Sequence, residues 1–340
     1  MSAVSRLDSY QRRHRWVGLP LAIVYKFVDD QGNLLTAMIT YYGFLSLFPL
    51  LLLLVTILGF LLHGNEHLQQ EVLDSALRQF PVIGDQLGSN IHSFHGSTFA
   101  VVVGILGSMY GSLGVAQAAQ NALNRVWGVP RSSRPNPLVA RLRSLLMLVI
   151  AAADVLPSTA LSALTTLSEA QGRELGVGLR LGATVLAVVL NVALFSIVYQ
   201  LLTARRTRLR QVWVGAVLAA VAWQALQVLG TYYLRHTLHG TSATYGLFGI
   251  VLGLLAWIYL GGFILVFCAE INVVRDKHLW PRSLLTPFTD RVQLTPSDRQ
   301  AYASYAVTET HKGFESVEVD FDQPAAEPEP AAEPEPGRQE

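Results

Sequence analysis

The chain has 340 residues, of which 51% are hydrophobic and only 14% charged; soluble domains run nearer 25% charged, so a soluble enzyme of this size is disfavoured. With 25 Lys+Arg against 24 Asp+Glu, the net charge of +1 excludes a strongly basic nucleic-acid binder. The single cysteine, Cys268, excludes an internal disulfide framework and any cysteine-based zinc site.

In chain order, residues 1–33 read as a cytoplasmic N-terminal segment. Within it, residues 16–30 read as an interfacial helix, because Trp16, Leu19, Ile23 and Phe27 recur at helical spacing beside Arg12, Arg13, Arg15 and Lys26. A bilayer core of roughly 30 Å needs about 20 mostly apolar residues in a helix. Six runs meet that length: 34–62, 98–123, 142–167, 179–202, 212–234 and 245–274. They are too long and too continuously apolar for barrel strands, and in lipid a helix satisfies its own backbone. Between the first two, 63–97 reads as two short amphipathic helices capping the outer face. One carries Leu68, Val72, Ala76 and Phe80; the other carries Ile83, Leu87, Ile91 and Phe94. Residues 281–340 read as a cytoplasmic tail. At its end, 325–336 repeat Ala-Ala-Glu-Pro-Glu-Pro twice, a composition expected to be disordered. The expected fold class is all-α: a polytopic bundle of six transmembrane helices over 34–280.

Basic residues orient the spans. Arg6, Arg12, Arg13, Arg15 and Lys26 precede the first. Arg125, Arg131, Arg134, Arg141 and Arg143 lie between the second and third. Arg205, Arg206, Arg208 and Arg210 lie between the fourth and fifth, and seven more occupy the tail, so 21 of the 25 fall on one side. Both termini are therefore expected in the cytoplasm. Trp127, Trp213 and Trp280, near span ends on that side, read as an interfacial aromatic belt.

A charge inside a span is a functional hypothesis by default. Asp154 lies near the middle of the third run, three residues before Pro157. It reads as a proton- or ion-coupled carboxylate, or as a packed structural one. Glu270 and Asn272 lie near the cytoplasmic end of the sixth run, where a structural ion pair with Arg275 or Lys277 is expected. Tyr41, Tyr42, Ser46, Asn191, Gln200, Gln224, Gln227 and Tyr245 add polar positions that together could line an interior cavity, although singly each reads as a bridge between helices. Gly104, Gly107, Gly111 and Gly114 in the second run, and Gly249 and Gly253 in the sixth, read as small faces for close helix packing. His63, His67, His92 and His95 lack a specific metal spacing. No catalytic motif or cofactor loop stands out, so no catalytic residue, cofactor or metal is expected.

The run Ala37–Leu50 (AMITYYGFLSLFPL) resembles the hallmark of the YihY/BrkB family of bacterial inner-membrane proteins. Also similar are Ala122-Leu123-Asn124-Arg125-Val126-Trp127, Trp213-Val214-Gly215-Ala216, Tyr245-Gly246-Leu247-Phe248-Gly249, Trp257-Ile258-Tyr259 and Cys268-Ala269-Glu270-Ile271-Asn272. The resemblance covers roughly residues 20–280. Leu201-Leu202-Thr203 stands where members tend to carry a proline, which puts a local helix break in doubt. The resemblance implies a multi-pass inner-membrane protein. Members have been labelled a ribonuclease or a virulence factor, and neither label defines an activity. Three readings follow: a transporter or lipid translocator, a membrane scaffold or envelope-integrity factor, and a ribonuclease, the last without support in the residues. Expected partners are the lipid bilayer, anionic head groups at the cytoplasmic arginines and, through the glycine faces, a second copy of the chain. Nucleic acid is not expected.

Overall fold

The computed structural model describes residues 3–61, 98–150, 177–237, 243–289 and 292–321, and their regular structure is entirely helical. In order these are α1 (Ala3–Arg13), α2 (Arg15–Asp29), α3 (Gly32–Leu61), α4 (Thr98–Val126), a short 3-10 turn (Arg131–Ser133), α5 (described over 137–150), α6 (Val177–Leu202), α7 (Leu209–Thr237), α8 (Ala243–Asp276) and α9 (Pro296–Thr308). Three stretches, Thr184–Leu202, Leu209–Gly230 and Val251–Asp276, are long and apolar enough to cross a bilayer. The second half of the expected third run, with Asp154, lies outside the described residues. So do the 63–97 link, with its two expected helices and four histidines, and the acidic repeat.

Helix boundaries follow local chemistry. A left-handed Gln31 (φ 59°) joins α2 to α3. Gly32 must follow it, because a Cβ there would enter the Phe27 ring. α4 stops at Gly128, whose φ of 61° satisfies the usual demand of a helix C-terminus. α6 ends at Leu202 without a proline: the Thr203 hydroxyl donates back to Tyr199 O at 2.7 Å, and Ala204 N donates to Asn124 Oδ1 at 2.7 Å.

α8 is the central element, packed against α2, α3, α4 and α7, while α3 lies along α4. A Cβ on Gly111 would lie 2.6 Å from Ser46 Cα, and one on Gly114 would enter the Tyr42 ring. These two glycines therefore serve packing within one chain. Gly111→Val is expected to cost about 1–3 kcal/mol through overpacking, read as a lower melting temperature of the purified protein. An unchanged melting temperature would show that α3 and α4 are not in this register.

Three features of the sequence find their partners in the structure. Residues 15–29 are helical, and part of the apolar stripe packs against protein. Ile23 and Phe27 are buried, and Phe27 stacks edge-on against Phe263 and Phe267 of α8 at 5.2 and 5.6 Å. Only Trp16 of that stripe is strongly exposed. The half of the stripe nearer α8 thus finds a protein surface to bury it. Trp127 is not part of an aromatic belt; it is 1% exposed and belongs to the core, whereas Trp213 is exposed. The tail is ordered over its described part, 281–289 and 292–321. It carries α9, started by a capping box in which Thr295 Oγ1 accepts from Asp298 N and Asp298 Oδ2 accepts from Thr295 N, with Pro296 at the first helical position.

Candidate functional site

The buried charges of the described chain gather at one end of the bundle. Lys26 and Asp30 stand four residues apart, one helical turn, at the end of α2. Both are nearly inaccessible, as is Glu270 of α8. The Lys26 ammonium contacts Asp30 Oδ2, lies 3.5 Å from Glu270 Oε2, and donates to Val126 O at 3.1 Å. The ion-pair partner of Glu270 is thus Lys26, not Arg275 or Lys277. Arg275 is exposed over the Trp213 ring, and Lys277 donates to Trp127 O at 2.9 Å. Burial opposes the charge on Lys26, but Glu270 and Asp30 outweigh it and raise its pKa. Burial raises the pKa of Asp30 against the pull of Lys26.

A second buried cation sits beside the first. Arg282 Nε donates to Asp298 Oδ1 at 2.8 Å and its Nη1 to Asp29 Oδ2 at 2.7 Å. The Tyr305 hydroxyl donates to the same Asp29 oxygen at 3.2 Å. Burial works against the guanidinium, yet Asp298 and Asp29 hold it protonated. The segment after Arg282 is tied to the N-terminal helices: Gln11 Nε2 donates to Arg282 O at 2.5 Å, Tyr25 OH to Leu284 O at 2.7 Å, and Leu284 N to Asp8 Oδ1 at 2.9 Å. Beyond α9, Glu309 pairs with Arg125 at 2.5 Å and Arg131 at 3.0 Å. Both ends of the described chain therefore lie at the same end of the bundle as the loop after α4.

Three of the stretches that carry the family resemblance, around Asn124, Gly215 and Asn272, contribute to this end of the bundle. Asn272 Oδ1 accepts from Gly215 N at 2.7 Å, and any Cβ on Gly215 would strike Asn272 and the Cys268 carbonyl. Asn124 caps the end of α6, Val126 accepts from Lys26, and Trp127 accepts from Lys277.

Among the described side chains, the other polar candidates make local bonds. Ser46 Oγ donates to Gly43 O, Asn191 Nδ2 to Ala187 O and Gln200 Nε2 to Ser196 O, each on its own helix. Tyr41 is largely exposed, and Tyr42 packs against Gly114. Gln224 and Gln227 are half-buried on α7. Gly104 and Gly107 lie in α4; Tyr245, Gly249 and Gly253 lie in α8. Sequence reasoning missed Lys26 and Asp30 as a buried pair, and Arg282, Asp29 and Asp298. The available signals were the i, i+4 spacing of Lys26 and Asp30 and the capping pattern Thr295-Pro296-Ser297-Asp298.

Lys277 gives a pH-dependent signature. Burial, with Lys26 and Arg205 nearby, lowers its pKa to about 8. Its modification by an amine reagent is expected to rise about tenfold between roughly pH 7 and pH 9 as the free amine forms. Lys26, locked between two carboxylates, should stay unmodified throughout. Peptide mapping reads both; a reactive Lys26 would contradict the geometry.

Among the described residues no group of three or more His, Cys, Asp or Glu side chains could hold a metal ion. No solved structure matches the chain. Among curated proteins, the ribonuclease-like protein YfkH of Bacillus subtilis is 24% identical over 273 residues, 74% of this chain and 93% of its own. Inner membrane protein YhjD of Escherichia coli is 28% identical over 260 residues, 72% of this chain and 77% of its own. A UPF0761 membrane protein of Psychrobacter is 23% identical over 290 residues, 83% of this chain and 53% of its own. The family model described as virulence factor BrkB matches residues 23–287, a span that takes in Lys26, Asp30, Glu270 and Arg282, and the chain belongs to that family of membrane proteins.

Proposed function

We propose that this protein is an inner-membrane translocator of an anionic lipid or similar amphiphile, with six transmembrane helices and both termini in the cytoplasm. The observation that carries the reading is the set of exposed arginines at the end of the bundle that holds the buried charges. Arg205, Arg206, Arg208 and Arg210 are exposed where α6 gives way to α7, and Arg141 is exposed on α5. Basic groups at the cytoplasmic surface attract anionic head groups by about 1 kcal/mol each. The six-span topology is supported by the arginine distribution and by the contact between α2 and the segment around Arg282. The inner-membrane placement is supported by the name of YhjD.

A scaffold role is the second reading. It is favoured by the bonding of Ser46, Asn191 and Gln200 each to a carbonyl of its own helix, as polar side chains of a packed bundle do without a transported molecule. A homo-oligomer would have to use surfaces other than Gly111 and Gly114, which α3 already covers.

The test is reconstitution into vesicles carrying a fluorescent phosphatidylglycerol or phosphatidylcholine, with an impermeant quencher added outside. Translocation predicts faster transbilayer equilibration of the anionic lipid than in empty vesicles, and a slower rate for Arg205→Glu/Arg208→Glu at equal protein content. Rates equal to empty vesicles for both lipids would overturn the proposal and favour the scaffold. Degradation of RNA by the same purified protein would favour a nuclease instead.

A further inference from the structure

The charges around Lys26 do not balance. One ammonium faces two carboxylates, and all three side chains are between 0 and 2% exposed. The ammonium is already committed to Asp30, Glu270 and Val126 O. Asp30 Oδ1 and both oxygens of Glu270 are buried and accept no hydrogen bond. Two carboxylates this close in a dry site cannot both stay ionised against one cation, because their repulsion adds to the cost of burying each.

The neighbouring cations act on the carboxylates only from a distance, since their own hydrogen bonds go elsewhere. On α4, Arg125 is turned to Glu309. After α8, Lys277 donates to Trp127 O. On α9, Tyr305 sets its ring 5.4 Å from the Lys26 ammonium and its hydroxyl on Asp29. Asp29 itself is held by Arg282.

We propose that Asp30 and Glu270 hold a single exchangeable proton between them at neutral pH, so that the pair is a proton-binding site. The proton provides the donor that the unbonded oxygens lack: the protonated carboxyl donates to its partner, and the partner pairs with Lys26. Proton uptake from water brings the triad to neutrality, and release returns it to a net single negative charge. The site deepens the translocator reading, on which it rests only for its use, by giving the bundle an ion to which movement can be coupled. It places that ion at Glu270 and Asp30 rather than at Asp154. The raised pKa of Asp30 agrees with it.

Infrared spectroscopy of the purified full-length protein tests this without measuring transport. The expected result is a carboxylic-acid C=O band at neutral pH that shifts in D2O and disappears at alkaline pH. Glu270→Gln and Asp30→Asn should each abolish that band, because the carboxylate left behind then has Lys26 to itself and ionises. Asp154→Asn should retain it. A wild-type spectrum with no such band at neutral pH overturns the proposal, and this holds even if a variant fails to fold. A band that survives in Glu270→Gln and Asp30→Asn, or vanishes only in Asp154→Asn, overturns it equally.

Discussion

Lys26→Met is expected to remove most of the folded protein, with a loss of about 3–5 kcal/mol, the usual cost of stripping one partner from a buried ion pair. The substitution keeps the apolar stem but leaves Asp30 and Glu270, both at most 1% exposed, facing each other without a cation. Two further results follow. Adding Glu270→Gln and Asp30→Asn together should recover part of the loss, since the two remove the negative charge that the pair keeps beside its shared proton. The loss should also shrink as pH falls. An unpaired buried carboxylate has a folded pKa above its unfolded value, so protonation restores stability on the acid side. Melting of the purified protein across pH measures all three. A Lys26→Met variant within about 1 kcal/mol of the parent, the scale of an exposed pair, would show that the triad is wet.

Arg282→Ala should be nearly as costly, about 3–5 kcal/mol locally, for the same reason. It leaves Asp298 and Asp29 without the guanidinium that bridges them. Here the expected consequence is undocking. The segment beyond residue 281 is held to α1 and α2 through Arg282 O, Leu284 and Asp29, so its release should let the backbone at the already exposed Arg299 and Lys312 unfold into the trypsin site. Arg282→Lys should restore the charge but not the two-sided grip, because an ammonium lacks the planar fork that reaches both carboxylates. Cleavage rates are therefore expected in the order Ala, Lys, parent. Equal rates for Ala and parent would mean that the capping box and the Glu309 contacts hold the segment alone.

What could be read from sequence and what could not separate along physical lines. Length and apolar continuity located α3, α4, α6, α7 and α8 within a few residues, because a long apolar run has few stable alternatives to a helix. The destination of an amphipathic face is harder. The stripe Leu19, Ile23, Phe27 reads identically whether it meets head groups or Phe263 and Phe267, and tertiary packing decided it. Lys26 looks like one more flanking cation until α8, 244 residues further along the chain, brings Glu270 alongside it. Arg282 and Asp29 pair across a comparable distance. Local spacing carries no trace of such pairings. Trp127 was misplaced for a related reason: an aromatic residue near a span end suits an interface, and only the packing around the end of α4 shows it enclosed. The family resemblance grouped Asn124, Val126, Trp127, Gly215, Glu270 and Asn272 without explaining them; the structure gives each its own partner, five by hydrogen bonds and Glu270 by its ion pair with Lys26, in one knot of contacts.

The proposal that this knot, with both ends of the described chain packed beside it, faces the cytoplasm is the centre of the account. Single cysteines at the exposed positions Arg6 and Lys312, in a background where the buried Cys268 is replaced by alanine, place it directly when treated with a membrane-impermeant maleimide. Both should be unreactive in intact spheroplasts and fully reactive in inverted inner-membrane vesicles. Labelling of either one from outside the spheroplast would put the two ends on opposite faces and contradict it.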